Sequence, residues 1–523
     1  MTKNNSRTIN SLYNFISSIG GQFLTIVMQF AVRTVFINTL GKSYLGISGL
    51  FSNILSMLSL AEFGVGNAII FKMYKPLANK DQHRISLLMK FYRKLYTAIG
   101  IAVGLIGLVL VPFLPELISD YDKLIALDIK PTLIFIIYLS NSVASYLFFS
   151  YKSAIIRADQ KEYIINVTNY WFTVGTGIFQ IGLLLIYPKF ELYVGIHTVS
   201  VIVQNIVCAK IADKRYPFIK EKTAEKIDRE EEKGIYKDCS ALFLYKLNGV
   251  VLKATDNIII SGFLGIEAVG MYSNYYIIYS TIEKLFVKIF GSIAHSLGNL
   301  HAGKNRKHEH AIFEATIFIT AILGGTAGVG VATVSNYFIE AWIGKEWLFA
   351  QPFALLMGME VYTLAFRHVL SKYRTAMGLF QQAKYRPLAG MLINLILSMY
   401  LVKKWGICGV LVGTIVADWS TMMWFEPLII HRHGFENMYS LFDYYRKFIL
   451  YFVITITVGA FNLLLGKYLM IECIWIKTMV HALICMITVP MVLVGVTFRS
   501  KATKYVYNLG IEYLGKFVKR LKK

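Results

Sequence analysis

The stretch LYTAIGIAVGLIGLVLVPFL, Leu95 to Leu114, carries no charged residue and shows no alternation of polar with apolar side chains. A membrane β-strand would alternate over about ten residues, whereas a helix needs about 20 apolar residues to cross a hydrocarbon core about 30 Å thick. The stretch therefore predicts a transmembrane helix, and ALICMITVPMVLVGVTF, Ala482 to Phe498, predicts another. Working outward, 56% of the 523 residues are hydrophobic and only 16% are charged. Soluble domains hold roughly 45–50% apolar residues, and one buried core cannot absorb the excess. The chain reads as an all-α polytopic membrane protein.

Apolar windows predict about fourteen transmembrane helices, near residues 14–39, 44–71, 95–118, 131–151, 163–187, 191–212, 239–264, 270–295, 312–337, 350–371, 387–402, 407–430, 447–466 and 475–498. Polar residues interrupt the first, second and seventh. The net charge of +23 comes from 54 Lys and Arg against 31 Asp and Glu. With the N-terminus inside, Lys and Arg favour the inner segments over the outer loops by about four to one, which predicts both termini cytoplasmic. Anionic lipid headgroups then meet the basic face, and no nucleic-acid partner is needed. Cys208, Cys239, Cys408, Cys473 and Cys485 form no CxxC pattern, so neither a disulfide framework nor a metal site is expected. The first apolar segment, preceded by Lys3 and Arg7, is too long for a cleaved signal and reads as a retained helix.

The outer loops are short, the longest near Ser119 to Lys130, which leaves no room for an external domain. Residues 213–238 (with KEKTAEKIDREEEKG) have too little apolar content to fold independently, although their alternating charges could extend a helix end. In the tail, Val506, Leu509, Tyr513, Leu514, Phe517 and Leu521 recur at helical spacing opposite Lys504, Asn508, Lys516, Lys519 and Arg520, the pattern of an interfacial amphipathic helix. A repeat is also visible. LGKSYLG (Leu40 to Gly46) returns as LGIEAVG (Leu264 to Gly270) 224 positions on, and RADQKEYI (Arg157 to Ile164) has a looser echo in GLFQQAKY (Gly378 to Tyr385). The expected organisation is two pseudo-symmetric six-helix bundles, 1–212 and 239–430, joined by a cytoplasmic linker, 213–238. Two appended helices (431–498) and a basic amphipathic tail (499–523) would follow, with a substrate path between the bundles.

RTVFINTLGKSYLGISGLFSNILSMLSLAEFGVGNAI (Arg33 to Ile69), DNIIISGFLGIEAVGMYS (Asp256 to Ser273) and WGICGVLVGT (Trp405 to Thr414) resemble the Wzx-type polysaccharide-transport branch of the multidrug/oligosaccharidyl-lipid/polysaccharide (MOP) exporter superfamily. The resemblance spans essentially the whole chain. It implies a MATE/MurJ-like fold and residence in the bacterial cytoplasmic membrane. It also implies a flippase that moves undecaprenyl-diphosphate-linked oligosaccharide repeat units outward by alternating access, for capsule, exopolysaccharide or O-antigen synthesis. No cofactor is implied beyond a proton or sodium gradient. Membrane lipids, a polysaccharide polymerase and glycosyltransferases are the partners implied.

Charges inside spans cost roughly 2.5–3.5 kcal/mol or more each, so their retention points to function. Lys246, Lys253 and Asn257 fall at i, i+7 and i+11, on one helix face. Arg33 occupies the corresponding part of the first helix. Arg33, Lys246 and Lys253 are therefore the candidate diphosphate ligands, with Asn257 and Lys284 as further substrate-binding candidates. Pairing of Lys253 with Asp256 at i+3, or snorkelling of Arg33 and Lys246, is the competing structural explanation. Lys284 and Lys288 share a face of the eighth helix and require a wet lining or snorkelling, and Arg367 lies near enough to an inner end to snorkel. Among the acids, Glu62, Asp256, Glu360 and Asp418 are ion-coupling candidates. Glu360 and Asp418 have no cation at i±3 or i±4 and are expected to be unpaired. Tyr272, Tyr275, Tyr276 and Tyr279 could stack on sugars or simply pack helices, and Gly324, Gly325 and Gly328 allow close approach or hinging.

Other classes fit less well. A membrane polysaccharide polymerase would need a large external catalytic loop, a glycosyltransferase an inner nucleotide-sugar domain, and an ATP-driven pump a GxxxxGK[ST] motif; the sequence has none of these, so no enzyme is expected. A cation-coupled multidrug exporter would place organic cations beside Lys246 and Lys253. A lipid II-type precursor flippase differs only in the headgroup sugars and stays open.

Overall fold

The computed structural model describes residues 3–59, 62–118, 120–126, 128–220, 225, 227–302, 305–379 and 382–508. The side chains of 3–19, 62–64, 67, 68, 237, 238, 240–254, 292–296, 298, 299 and 302 lie outside that description, and with them those of Glu62, Lys246 and Lys253. The tail beyond residue 508, read as an interfacial helix, also lies outside it.

Hydrocarbon offers no partner for a backbone amide, so a spanning segment must satisfy its own N–H and C=O groups along a helix. The described chain follows that rule throughout. Its helices are α1 (Lys3–Leu58), α2 (Glu62–Asn79), α3 (Gln82–Leu110), α4 (Leu114–Leu117), α5 (Tyr121–Ala126), α6 (Pro131–Leu147), α7 (Ser153–Ala158), α8 (Glu162–Ile186), α9 (Phe190–Arg215), α10 (Arg229–Leu264), α11 (Ile266–Ala302), α12 (Arg306–Ile343), α13 (Gln351–Ala376), α14 (Arg386–Trp405), α15 (Ile407–Asp418), α16 (Phe425–Ile429), α17 (Leu441–Tyr468) and α18 (Ile474–Val496). Two π-helical turns, Trp419–Met423 and Ile430–Gly434, flank α16.

Among the described residues, 10 helices are long and apolar enough to cross a membrane, or up to 11 if the pair Pro131–Leu147 and Ser150–Ala158, bent by 44°, counts as one span. The first expected span and the start of the second run together as α1, broken at Gly41, and the rest of the second falls on α2. The seventh and eighth correspond to α10 and α11, part of whose side chains fall outside the description. Each unit carries exposed apolar side chains suited to lipid, among them Leu105, Trp171, Phe179 and Ile186 in the first half of the chain and Phe461 and Met491 in the second.

Two compact units form, Met1–Gly270 and Met271–Lys523. In the first, α1 packs along α8 and α10, α10 packs on α2, and α6 packs on α3 and α9. The charged linker is anchored within this unit. Glu231 pairs with Arg84, Glu225 accepts from His83 at 2.8 Å, and Asp213 receives Lys152 at 2.7 Å. Its alternating charges do extend a helix, because α10 begins at Arg229. In the second unit α12 packs against α13, α17 and α18, while α14 and α15 form a tight hairpin. Gly328 and Gly358 lie at the α12–α13 crossing, where a Cβ on either would run into the carbonyl oxygen of the other. Gly324 and Gly328 of α12 thus serve close approach.

The repeated LG…G sequences adopt one geometry twice. Gly41 has φ 82° and ψ −168°, and Gly265 has φ 86° and ψ 167°, a region open in practice only to glycine. The two hairpins also meet reciprocally. A Cβ on Gly46 would fall on the carbonyl of Ile266, and a Cβ on Gly270 would fall on the carbonyl of Lys42. Positions 42 and 266 are themselves equivalent in the repeat. Forcing a methyl into such a crossing costs about 1–3 kcal/mol. Gly46→Ala is therefore expected to lower the thermal unfolding temperature of the purified protein, while Gly182→Ala, on α8 with open space at its Cβ, should leave it unchanged.

Candidate functional site

In the first unit, α1 carries Ser48, Ser52 and Ser56 at intervals of four residues, on one helix face, and Ser59 follows three residues on, just past its end. On α6, Tyr138, Asn141, Ser142 and Ser145 follow the same rule. These stripes, with Gln29, Gln180, Tyr193 and His197, line a chamber of about 720 Å³, within the range of ligand cavities, roughly 300–1,000 Å³. Hydrogen bonds fix parts of the wall. Ser48 Oγ lies 2.7 Å from Tyr138 Oη, Asn141 Nδ2 lies 3.1 Å from His197 Nδ1, and Gln180 Nε2 donates to the Tyr193 carbonyl at 3.1 Å. Asn141 Oδ1 is buried without a hydrogen-bond partner among the described residues. The described residues lining the chamber include no carboxylate.

Ser145 also lines a second chamber of about 430 Å³, walled by Tyr92, Tyr96, Asn169, Gln204, Asn205 and the exposed Arg157. Gln204 Nε2 donates to Asn169 Oδ1 at 2.8 Å. The two spaces adjoin at that serine, so hydroxyls and amides continue from one to the other. Arg33, expected to meet a diphosphate, sits half-buried within electrostatic reach of Tyr193 and Tyr138, beside the first chamber. Asp256 and Asn257 are buried on α10, and Asn257 Oδ1 has no hydrogen-bond partner among the described residues. Nothing is described for the side chains of Lys246, Lys253 and Glu62.

The second unit holds its polar groups differently. Arg367 Nη1 donates to Asp418 Oδ2 at 2.7 Å, and its Nη2 donates to Tyr279 Oη at 3.0 Å and lies 3.6 Å from Glu360 Oε1. Tyr279 Oη donates in turn to Glu360 at 3.2 Å. The expectation that Glu360 and Asp418 are unpaired is therefore corrected, and so is the snorkelling read for Arg367. One guanidinium holds both acids. The windows i±3 and i±4 could not reveal this, because Arg367 lies seven residues after Glu360, two turns along α13, and Asp418 comes from α15. A parallel cluster places Glu426, fully buried, between Arg374 Nε at 3.0 Å and Arg386 Nε at 3.1 Å. Lys284 is exposed on α11 and Lys288 is half-buried. Of the four tyrosines, Tyr275 serves packing, since its hydroxyl donates to Asn336 at 2.7 Å and accepts the Phe349 amide at 3.1 Å.

Among the described residues the chain is all-helical, with two compact units and 10 to 11 span-length helices, which defines an all-α polytopic membrane fold. That fold is the one seen in the lipid II flippase MurJ in an inward closed conformation, which matches with a TM-score of 0.65 and 14% identity over 94% of this chain and 99% of that one. An inward-facing multidrug resistance MATE family transporter of the MOP superfamily matches with a TM-score of 0.51 and 14% identity, covering 80% and 96%. No family model and no curated protein matches the sequence. The chain is a multi-pass membrane protein with the MurJ/MATE fold.

Breaking a buried ion pair by removing one partner typically costs 3–5 kcal/mol, since the other charge is left stranded. Arg367→Ala is expected to destabilise the protein by about that much. Asp418→Ala added to Arg367→Ala should cost less than the sum of the single losses, as a double-mutant cycle on thermal unfolding will measure.

Proposed function

We propose that this protein is a flippase for undecaprenyl-diphosphate-linked oligosaccharide repeat units, feeding capsule, exopolysaccharide or O-antigen synthesis in a bacterial cytoplasmic membrane with both termini inside. The observation that carries the reading is the serine-, amide- and tyrosine-lined chamber of the first unit. A saccharide presents a dense array of hydroxyls and flat apolar faces, which such a wall satisfies with hydrogen bonds and ring contacts. Arg33 beside it, with Lys246 and Lys253 on α10, would take the diphosphate, with Asn257 and Lys284 contributing. The MurJ-like fold supports the same direction, since that protein is a lipid II flippase. A lipid II-type cargo satisfies the same chemistry. An organic cation does not, because the described chamber wall offers no carboxylate and has a guanidinium beside it.

Transport by alternating access would use the two repeat-related halves, 1–212 and 239–430, with the 213–238 linker between them and 431–498 and 499–523 appended. A proton or sodium gradient would drive it. Glu62, Asp256, Glu360 and Asp418 are the coupling candidates, the last two through their competition for Arg367. Glycosyltransferases would supply the substrate and a polysaccharide polymerase would consume it.

Cells lacking the protein should accumulate completed lipid-linked units that an impermeant sugar-modifying reagent cannot reach. Wild-type protein should restore access, whereas Ser52→Trp, which fills the chamber, and Lys253→Ala should insert normally and restore none. Units that reach the outer face but stay unpolymerised would replace this reading with a polymerase, and an unchanged pool would replace it with another cargo.

A further inference from the structure

A small pocket in the second unit has an unusual wall. It measures about 80 Å³ and lies between α12, α17 and the π-helical turn that carries His431. His431 is only 2% exposed. Its Nδ1 lies 2.8 Å from the Pro427 carbonyl oxygen, which can only accept, so Nδ1 carries the hydrogen and Nε2 of the neutral ring carries a lone pair. Nε2 has no hydrogen-bond partner among the described residues, and neither has the buried hydroxyl of Tyr444, which lines the same pocket. Two orphaned polar atoms, one an acceptor and one able to donate, thus share one enclosed space. A water occupies about 30 Å³ in the liquid and needs two to four polar partners. The pocket offers both.

We propose that this pocket is a water-filled proton-binding site in which His431 Nε2 is the acceptor. The bridging water accepts from Tyr444 Oη and donates to Nε2, and half-exposed Asp443 at the pocket rim connects it to solvent. When a hydronium arrives, one of its O–H bonds breaks, an Nε2–H bond forms, water is returned, and the ring becomes an imidazolium that keeps its Nδ1–H on Pro427. The charges facing it are specific. From α12 come Glu314 and His310, the latter stacked on Tyr439 at 3.6 Å; from α17 come Lys447, ion-paired with Glu314, and the hydroxyl of Tyr451. On its own segment, Glu426 is already held by Arg374 and Arg386. Asp443 at the rim is paired with Arg446 at 3.4 Å, so Glu314 is the carboxylate left to face two cations once the ring is charged. The imidazolium competes with Lys447 for it, and the α12–α17 link loosens. The Nε2 lone pair, left free by the Nδ1–H held on Pro427, makes a proton the ion this site fits. The site is independent of the Arg367 cluster and of the cargo.

The test uses the full-length protein in lipid nanodiscs with nitrogen-15-labelled histidine. The resonance lost in His431→Gln should titrate reversibly with bulk pH, passing from the Nδ1–H tautomer to the imidazolium. Lys447→Met, which leaves Glu314 to the ring alone, should extend the protonated form to more alkaline solution. Tyr444→Phe, which removes only the hydroxyl that orders the water, should shift the midpoint and serves to assign the resonance if His431→Gln does not fold. A ring that stays neutral throughout the pH range in which the protein is folded overturns the proposal. So does a midpoint that neither Lys447→Met nor Tyr444→Phe moves.

Discussion

Hydrocarbon supplies no hydrogen-bond partner, and that single constraint orders this molecule. It makes the described spanning backbone helical, and it favours a partner or water for every polar side chain in a span. The two units meet the obligation in different ways. In the first, neutral hydroxyls and amides gather around open space, as at Ser48, Tyr138, Asn141 and His197. In the second, charges close on one another: Arg367 with Asp418 and Glu360, Arg374 and Arg386 with Glu426, Lys447 with Glu314. A neutral wall can exchange water for a hydroxylated ligand without stranding a charge, whereas a dismantled ion pair would strand one.

Much of this was legible in the sequence, and the pattern of what was not is physical. The apolar stretches announced the helices, because burial in lipid selects composition directly. The LG…G echo pointed to a duplicated hairpin, and Gly41 and Gly265 share the backbone geometry that explains why glycine stands in both. The charged linker hinted at a helix extension, and α10 begins inside it at Arg229. The pairing of Arg367 with Asp418 was out of reach, because spacing along one helix says nothing about a partner on another. The chamber lay between these cases. Its serine stripe on α1 recurs every three or four residues and could have been counted, but serines interrupting an apolar span read as weak membrane signal rather than as the wall of a cavity.

The reciprocal hairpins and the clusters of the second unit also divide the work of holding the structure. At Gly46 and Gly270 two backbones approach so closely that shape alone fixes the crossing. At Arg367 and Glu426 the position of each helix depends on charges that a proton or a cation could alter. Joints fixed by shape and joints held by charge therefore occupy separate stretches of the chain.

The two π-helical turns around α16 have a consequence for how this sequence tolerates change in length. A π turn holds one residue more than the α register accommodates, and each residue of an α-helix advances by about 100°. Losing a single residue from Trp419–Met423 would let the helix run on as regular α structure, so the backbone would absorb the deletion. Because the wide turn already takes up that extra residue, everything C-terminal to it would keep nearly its present facing relative to Asp418, and Glu426 would stay between Arg374 and Arg386. In a regular α-helix the same deletion would turn every later side chain by a residue's step. Here the bulge holds a residue in reserve, and one buried carboxylate would keep both its partners.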